Sequence, residues 1–234
     1  MKLLINKRIK AVLICAACIL IVISAAVADA TDNYPLSNQK RTAAPDYSGY
    51  TATLSIVSDS GKDYTRYGVP SYGHTYLVIE NTSSSALDFC GRVIEPSENL
   101  TFGWWAISSH SGIWFGIESN FIEAYGRYPQ RVALSREIDG EGIDRLCDYL
   151  LTHDIYTPLE NCALRAVAAF NTAIPETRQL NCRFFITPSR VVKAITELGG
   201  SSEIALSITY TERQPSCGFG SEIEYFDLAF DEVE

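Results

Sequence analysis

The order of apolar patterns along the chain predicts an α+β domain, with an antiparallel sheet built first and packed helices added after it. Three observations carry this expectation. Between residues 50 and 135, short stretches rich in β-branched and aromatic residues are separated by polar turns, such as those at 81–85 and 96–99. From 139 onward the apolar spacing becomes helical: Ile143, Leu146, Cys147, Leu150 and Leu151, then Leu164, Val167, Ala168 and Phe170. A third helix is opened by Pro188 and closed by Gly199 and Gly200.

Taken in order, 50–57 alternates as a strand and 58–62 turns. The next strand, 73–81, puts His74, Tyr76, Val78 and Glu80 on one face and Thr75, Leu77 and Ile79 on the other. His74 and Glu80 share a face but lie about 20 Å apart in an extended strand, too far to be partners. Further strands are expected at 86–94, which contains Cys90, at 100–105, at 113–118 and at 131–135. Trp104, Trp105, Trp114 and Phe115 either line a groove or fill half-buried strands. Helices are expected over 139–153, from Cys162 to about Pro175, and over 187–198. An extra strand is expected at 203–211, followed by an acidic tail after Pro215.

The N-terminus carries Lys2, Lys7, Arg8 and Lys10, an apolar run over 11–28 and the small residues of Ala28-Asp29-Ala30. This reads as a secretory signal cleaved after Ala30, with an uncleaved membrane anchor as the alternative. The expected organisation is a signal over 1–30, a polar linker over 31–48 and a single domain over 49–234, unassigned from about 200. The folded part is therefore expected to be secreted or extracytoplasmic, and attached to the cell surface if the anchor stays. Removal of residues 1–30 leaves 15 basic against 27 acidic side chains, a net charge of −12. So acidic a domain, without a basic patch, is not expected to bind nucleic acid. A membrane contact is expected only through the N-terminal segment. No glycine-rich phosphate loop, EF-hand loop or CxxC pair is present, so no cofactor and no metal are expected.

Five cysteines follow the signal: Cys90, Cys147, Cys162, Cys182 and Cys217. The odd number leaves at least one free, or paired between chains, in an oxidising compartment. Cys182 and Cys217 bracket the last helix and the strand after it, and are the expected pair, with Cys90 or Cys147 as the alternative in either place. Asn81-Thr82-Ser83 and Asn99-Leu100-Thr101 match the glycosylation pattern.

Cys162 has the strongest chemical signal. Asn161 is a good N-cap, which places Cys162 in the first turn of a helix. There the free N–H groups and the helix dipole stabilise a thiolate. Arg165 adds a second cation if it turns towards the sulfur. A buried, packed or disulfide-bonded cysteine is the competing reading. A nucleophilic thiol needs a base, and the chain has three histidines, His74, His110 and His153.

Taken together, Gly73-His74-Thr75, Ile79-Glu80-Asn81-Thr82-Ser83-Ser84, Phe102-Gly103-Trp104, His110-Ser111-Gly112-Ile113-Trp114 and Asn161-Cys162 resemble a group of secreted bacterial proteins. Those are similar to circularly permuted members of the NlpC/P60 and papain-like superfamily. The resemblance spans roughly 70–198. It implies a permuted papain-like fold, with the histidine strand first and the packed helices carrying the cysteine after it. It implies Cys162 as nucleophile and His74 as base. A third polar residue would orient the imidazole from a later strand, with His110 or Glu118 as candidates; the catalytic set is written with His110. Where such proteins carry small polar residues after the Asn-Cys pair, this chain has Ala163 and Leu164.

What the resemblance implies is hydrolysis of an amide bond in a peptide or other amide-containing substrate. Members of the superfamily cleave cell-wall peptides, which makes peptidoglycan the first candidate, while others act on lipid or protein amides. The rival readings are a non-catalytic extracellular domain that binds a wall or surface component through an aromatic groove, and a purely structural domain on an anchor.

Overall fold

The computed structural model describes residues 45–61, 73–182 and 185–228. The expected signal, and the expected linker up to residue 44, lie outside them. Strands β1 (Thr51–Asp59), β2 (His74–Asn81), β5 (Asn99–Ala106), β6 (Ser111–Phe115), β7 (Val132–Asp139), β8 (Ser216–Cys217) and β9 (Glu224–Tyr225) form one sheet. Its order is β7-β1-β2-β5-β6-β8-β9, and each neighbouring pair is antiparallel. Strands β3 (Leu87–Phe89) and β4 (Arg92–Ile94) make a separate hairpin. The helices are α1 (Ile117–Tyr125), α2 (Gly140–Thr152), α3 (Cys162–Ala173), α4 (Pro188–Glu197) and α5 (Ser202–Ser207).

The central strands are apolar on both faces because both faces are covered. In β2 only Glu80 is exposed. Leu54 and Ile56, Leu77 and Ile79, Phe102 and Trp104, and Ile113 and Phe115 form the larger core with the inner faces of α2, α3 and α4. The opposite parity, Val57, Tyr76, Val78 and Trp114, packs with Ile117 and Phe121 of α1, Ala205 of α5 and Tyr210. Each fully buried large apolar side chain contributes roughly 1.5–3 kcal/mol. This two-sided demand fixes the strand register, since a one-residue slip would exchange the two cores. The register runs His74 opposite Asp59 at one end of the β1–β2 pair.

The structure departs from the sequence expectations in several places. The strand expected at 86–94 is the β3–β4 hairpin, because Cys90 (φ 57°) and Gly91 (φ 87°) turn the chain between its halves. The strand expected at 113–118 stops at Phe115, and left-handed Gly116 starts α1. The strand expected at 203–211 is instead α5, whose start is fixed by Ser201 accepting the Ile204 N–H. The linker expected to reach 48 ends earlier: Tyr47 is buried and its hydroxyl donates to the Asp88 carbonyl. Trp104 and Trp114 fill the two cores rather than a groove. Cys182 and Cys217 are free thiols and are not brought together, since Cys182 packs against the larger core and Cys217 belongs to the smaller one. No helix among the described residues is long and apolar enough to cross a membrane.

Asn81 ends β2 and is fully buried. Its amide donates to the Ser85 and Ile94 carbonyls, both at 2.8 Å, and its oxygen accepts the Ser83 N–H. The side chain that the glycosylation pattern would modify is thus a structural tie between β2 and the β3–β4 hairpin. Asn81→Ala is expected to lower stability by roughly 1–3 kcal/mol by orphaning these buried groups, read as a lower denaturation midpoint. An unchanged midpoint would show that the tie contributes nothing.

Candidate active site

His74 is the first residue of β2, and the residue before it sets its position. Gly73 has φ 74°, a conformation that side-chain-bearing residues seldom adopt. A Cβ there would also run into the backbone of Asp59 and Ser60. The chain therefore closes tightly against the end of β1, and His74 enters the sheet buried. Its Nε2 lies 3.0 Å from Oε1 of Glu118, in the first turn of α1. Glu118 is fully buried, and the same oxygen accepts the Trp105 Nε1–H at 2.8 Å. Its second oxygen, Oε2, has no hydrogen-bond donor among the described residues.

The imidazole is walled by aromatic rings. Trp105 is tilted over it with centroids 4.2 Å apart, while Tyr76 and Tyr128 stack at 5.8 and 5.7 Å. Gly103, on the neighbouring strand, makes room for the pair: a Cβ there would overlap Glu118 Oε1 and press on His74 Nε2.

Cys162 is the first residue of α3. Asn161 caps this helix, its Oδ1 accepting the Ala163 and Leu164 N–H groups at 3.0 Å and its amide donating to the Ile186 carbonyl. The thiol is buried and hydrogen-bonds with His74. Since Nε2 is held by Glu118, Nδ1 is the ring nitrogen left for sulfur. The backbone N–H groups of Thr75 and Ala163 also support the sulfur. Helix α3 packs on the larger core, whereas Glu118 belongs to the helix on the other face. The imidazole thus joins the two layers where β2 begins.

The electrostatics follow from this geometry. Burial opposes the charged form of both groups, but their mutual attraction outweighs it. His74 is pushed up to about 9 by the Cys162 thiolate and by Glu118. The Cys162 thiol is held below its ordinary value by the His74 imidazolium and the two backbone N–H groups. Tyr156 is raised, first by burial and then by the Cys162 charge, which places its ring near the sulfur. Each group thus favours the charged form of the other, the direction of a thiolate and imidazolium pair.

Of the histidines, His74 alone reaches Cys162. His110, written into the expected catalytic set, pairs instead with Asp154 (Nε2–Oδ1 2.9 Å), and Asp154 also accepts the Ile113 N–H. It fixes the chain leading to Cys162 against β6 and does not touch the His74 ring. The residue that contacts the His74 ring is Glu118, the other candidate, from a helix rather than a strand. His153 stacks on Tyr149. Arg165 does not turn to the sulfur; its Nη2 bonds Glu160 at 2.6 Å. Tyr128 was not singled out by sequence, and the parts that Gly103, Trp105 and Thr75 play around His74 were not legible there, because they depend on cross-strand register. Among the described residues, no three or more potential metal ligands gather.

No family model, no curated protein sequence and no solved structure matches the chain.

The paired charges make a pH prediction. Because the thiol pKa is lowered, Cys162 stays ionised as pH falls below the ordinary value near 9, down to its own lowered pKa. Its alkylation by iodoacetamide is therefore expected to inflect at a lower pH than that of an ordinary thiol. In His74→Ala the cation is gone and only the two backbone N–H groups oppose burial, so the inflection is expected to move up from its wild-type position. A wild-type inflection at or above that value would contradict the ion pair.

Proposed function

We propose that the chain is a cysteine hydrolase that cleaves an amide bond, with Cys162 as nucleophile, His74 as acid and base, and Glu118 as the positioning residue, in a permuted papain-like arrangement. The observation that carries this reading is the unbroken line from a buried carboxylate, through Nε2 of one imidazole, to a thiol at a capped helix start. A buried carboxylate with one unpartnered oxygen is costly unless a cation lies beside it. The imidazolium that compensates Glu118 is also the cation that ionises Cys162.

The steps follow from the positions. The thiolate attacks the substrate carbonyl carbon, and the C=O electron pair moves onto oxygen. In the first turn of α3, the Ala163 and Leu164 N–H groups are taken by the Asn161 side chain and the Arg165 N–H by its carbonyl. The Cys162 N–H is left to face the oxyanion. The Nδ1–H of His74 protonates the departing amine as the C–N bond breaks. Neutral His74 then takes a proton from water, which attacks the thioester and releases the acid and the thiolate. Glu118 keeps Nε2 protonated throughout, so that Nδ1 alone exchanges protons.

The expected export signal and the resemblance make cell-wall peptides the first substrates to test. The aromatic-groove alternative loses two of its residues, since Trp104 and Trp114 are buried. The test is cleavage of peptidoglycan fragments and of an amide library by the exported protein. Cys162→Ser is expected to abolish turnover with melting unchanged, and His74→Ala to lower turnover by about 10²–10⁴-fold, with a lower melting temperature because buried Glu118 loses its partner. Glu118→Gln is expected to move the upper limb of the pH–rate profile below the wild-type position near 9. Undiminished turnover in Cys162→Ser would overturn the mechanism. A reactive thiolate that cleaves no amide would overturn the substrate class alone.

A further inference from the structure

A second pair of sulfurs lies away from the candidate site. Cys90 sits in the turn of the β3–β4 hairpin, half-buried, with the left-handed backbone that this tight turn imposes. Cys147 is buried on the inner face of α2. The two are 57 residues apart in sequence, and their Sγ atoms are 3.5 Å apart, in van der Waals contact. The Tyr47 hydroxyl touches the Cys147 sulfur at 3.4 Å from the other side. The turn is held in place independently, because the Cys90 carbonyl accepts bonds from Arg92 Nη1 and from the Gly220 N–H. Two sulfurs carried by fixed elements already meet, and a closure of about 1.5 Å separates this contact from a disulfide bond length of about 2 Å.

The geometry points to a structural disulfide between Cys90 and Cys147 in the exported protein. The inference stands independently of the hydrolase reading. The half-exposed Cys90 is the sulfur that an external disulfide reaches first. Its thiolate attacks that disulfide, forming a mixed disulfide and expelling one thiolate. The Cys147 thiol loses its proton, attacks the Cys90 sulfur and expels the second. Two protein thiols lose two electrons and two protons, and one small-molecule or protein disulfide is reduced to two thiols. The remaining cysteines do not compete for this partner. Burial pushes Cys217 up to about 11, with Asp154 and Glu224 adding to it, and burial also raises Cys182. Cys162, the first residue of α3, is engaged by His74. The bond would tie the hairpin to α2 and would leave Cys162, Cys182 and Cys217 as thiols.

The test uses the folded, full chain equilibrated with a mixture of oxidised and reduced glutathione, followed by alkylation and non-reducing peptide mapping. The expected result is one linked peptide pair, Cys90 with Cys147, two hydrogens lighter than the reduced pair, with Cys162 alkylated. The oxidised protein is expected to melt roughly 5–15 °C above the same chain held in dithiothreitol, as a loop of this length implies. That difference should vanish in Cys90→Ser and in Cys147→Ser; Cys90 lies in a half-buried turn, so its variant serves if the other does not fold. Recovery of Cys90 and Cys147 as alkylated thiols, as glutathione adducts, or joined to other cysteines would overturn the inference, as would equal melting with and without reductant.

Discussion

The contact between His74 Nε2 and Glu118 Oε1 is the interaction on which the rest of the site depends. It is dry, since the carboxylate is fully buried, and it is framed by Trp105, Tyr76 and Tyr128. In that setting a carboxylate cannot rely on water for its charge and favours a protonated imidazole beside it. The imidazolium in turn makes a thiolate tolerable at the buried start of α3. Remove the carboxylate, and one of the two supports of the imidazolium is lost, so that His74 moves down towards the neutral imidazole while Cys162 still supports its charge.

The fold serves this contact by bringing two layers to one rim of the sheet. Glu118 arrives from α1, which packs on the smaller core, and Cys162 arrives from α3, which packs on the larger one. Neither helix could supply both groups. The strand between them is pinned by Gly73, whose left-handed turn lets the backbone press against Asp59, and the neighbouring strand is pared down at Gly103 to admit the carboxylate. The His110–Asp154 pair does related work at a distance. It holds the segment before Asn161 to β6, and Tyr156 in that segment reaches back towards the sulfur.

Much of this was legible in the sequence, for identifiable reasons. Asn161 before Cys162 is a local signal, because capping acts within three residues, and the cap is there. The periodicities of α2, α3 and α4 are local as well. Glu118 was visible as a charge at the end of the expected strand 113–118, but its role was not: the stretch reads as one strand until Gly116 is seen to take a left-handed turn and begin a helix. His110 attracted attention through its small polar neighbours, which in fact shape a turn whose histidine meets Asp154. The second-rank features of the site, Gly103 and the Trp105 ring, depend on which residues lie across from His74. Register of that kind is set by both cores together and by no single segment. The Cys182–Cys217 expectation failed for the same reason, since spacing along the chain does not reveal that two cysteines sit with different cores.

The central claim is that Glu118 and Cys162 together hold His74 as an imidazolium. It is tested most directly by following the His74 ring nitrogens by NMR through a pH titration of the wild-type chain and of Cys162→Ser. The account predicts that wild-type His74 remains protonated through neutral pH and titrates near 9, and that loss of the thiolate in Cys162→Ser lowers this value. A His74 ring already neutral at pH 7 in the wild type, or a titration that does not respond to Cys162→Ser, would contradict it.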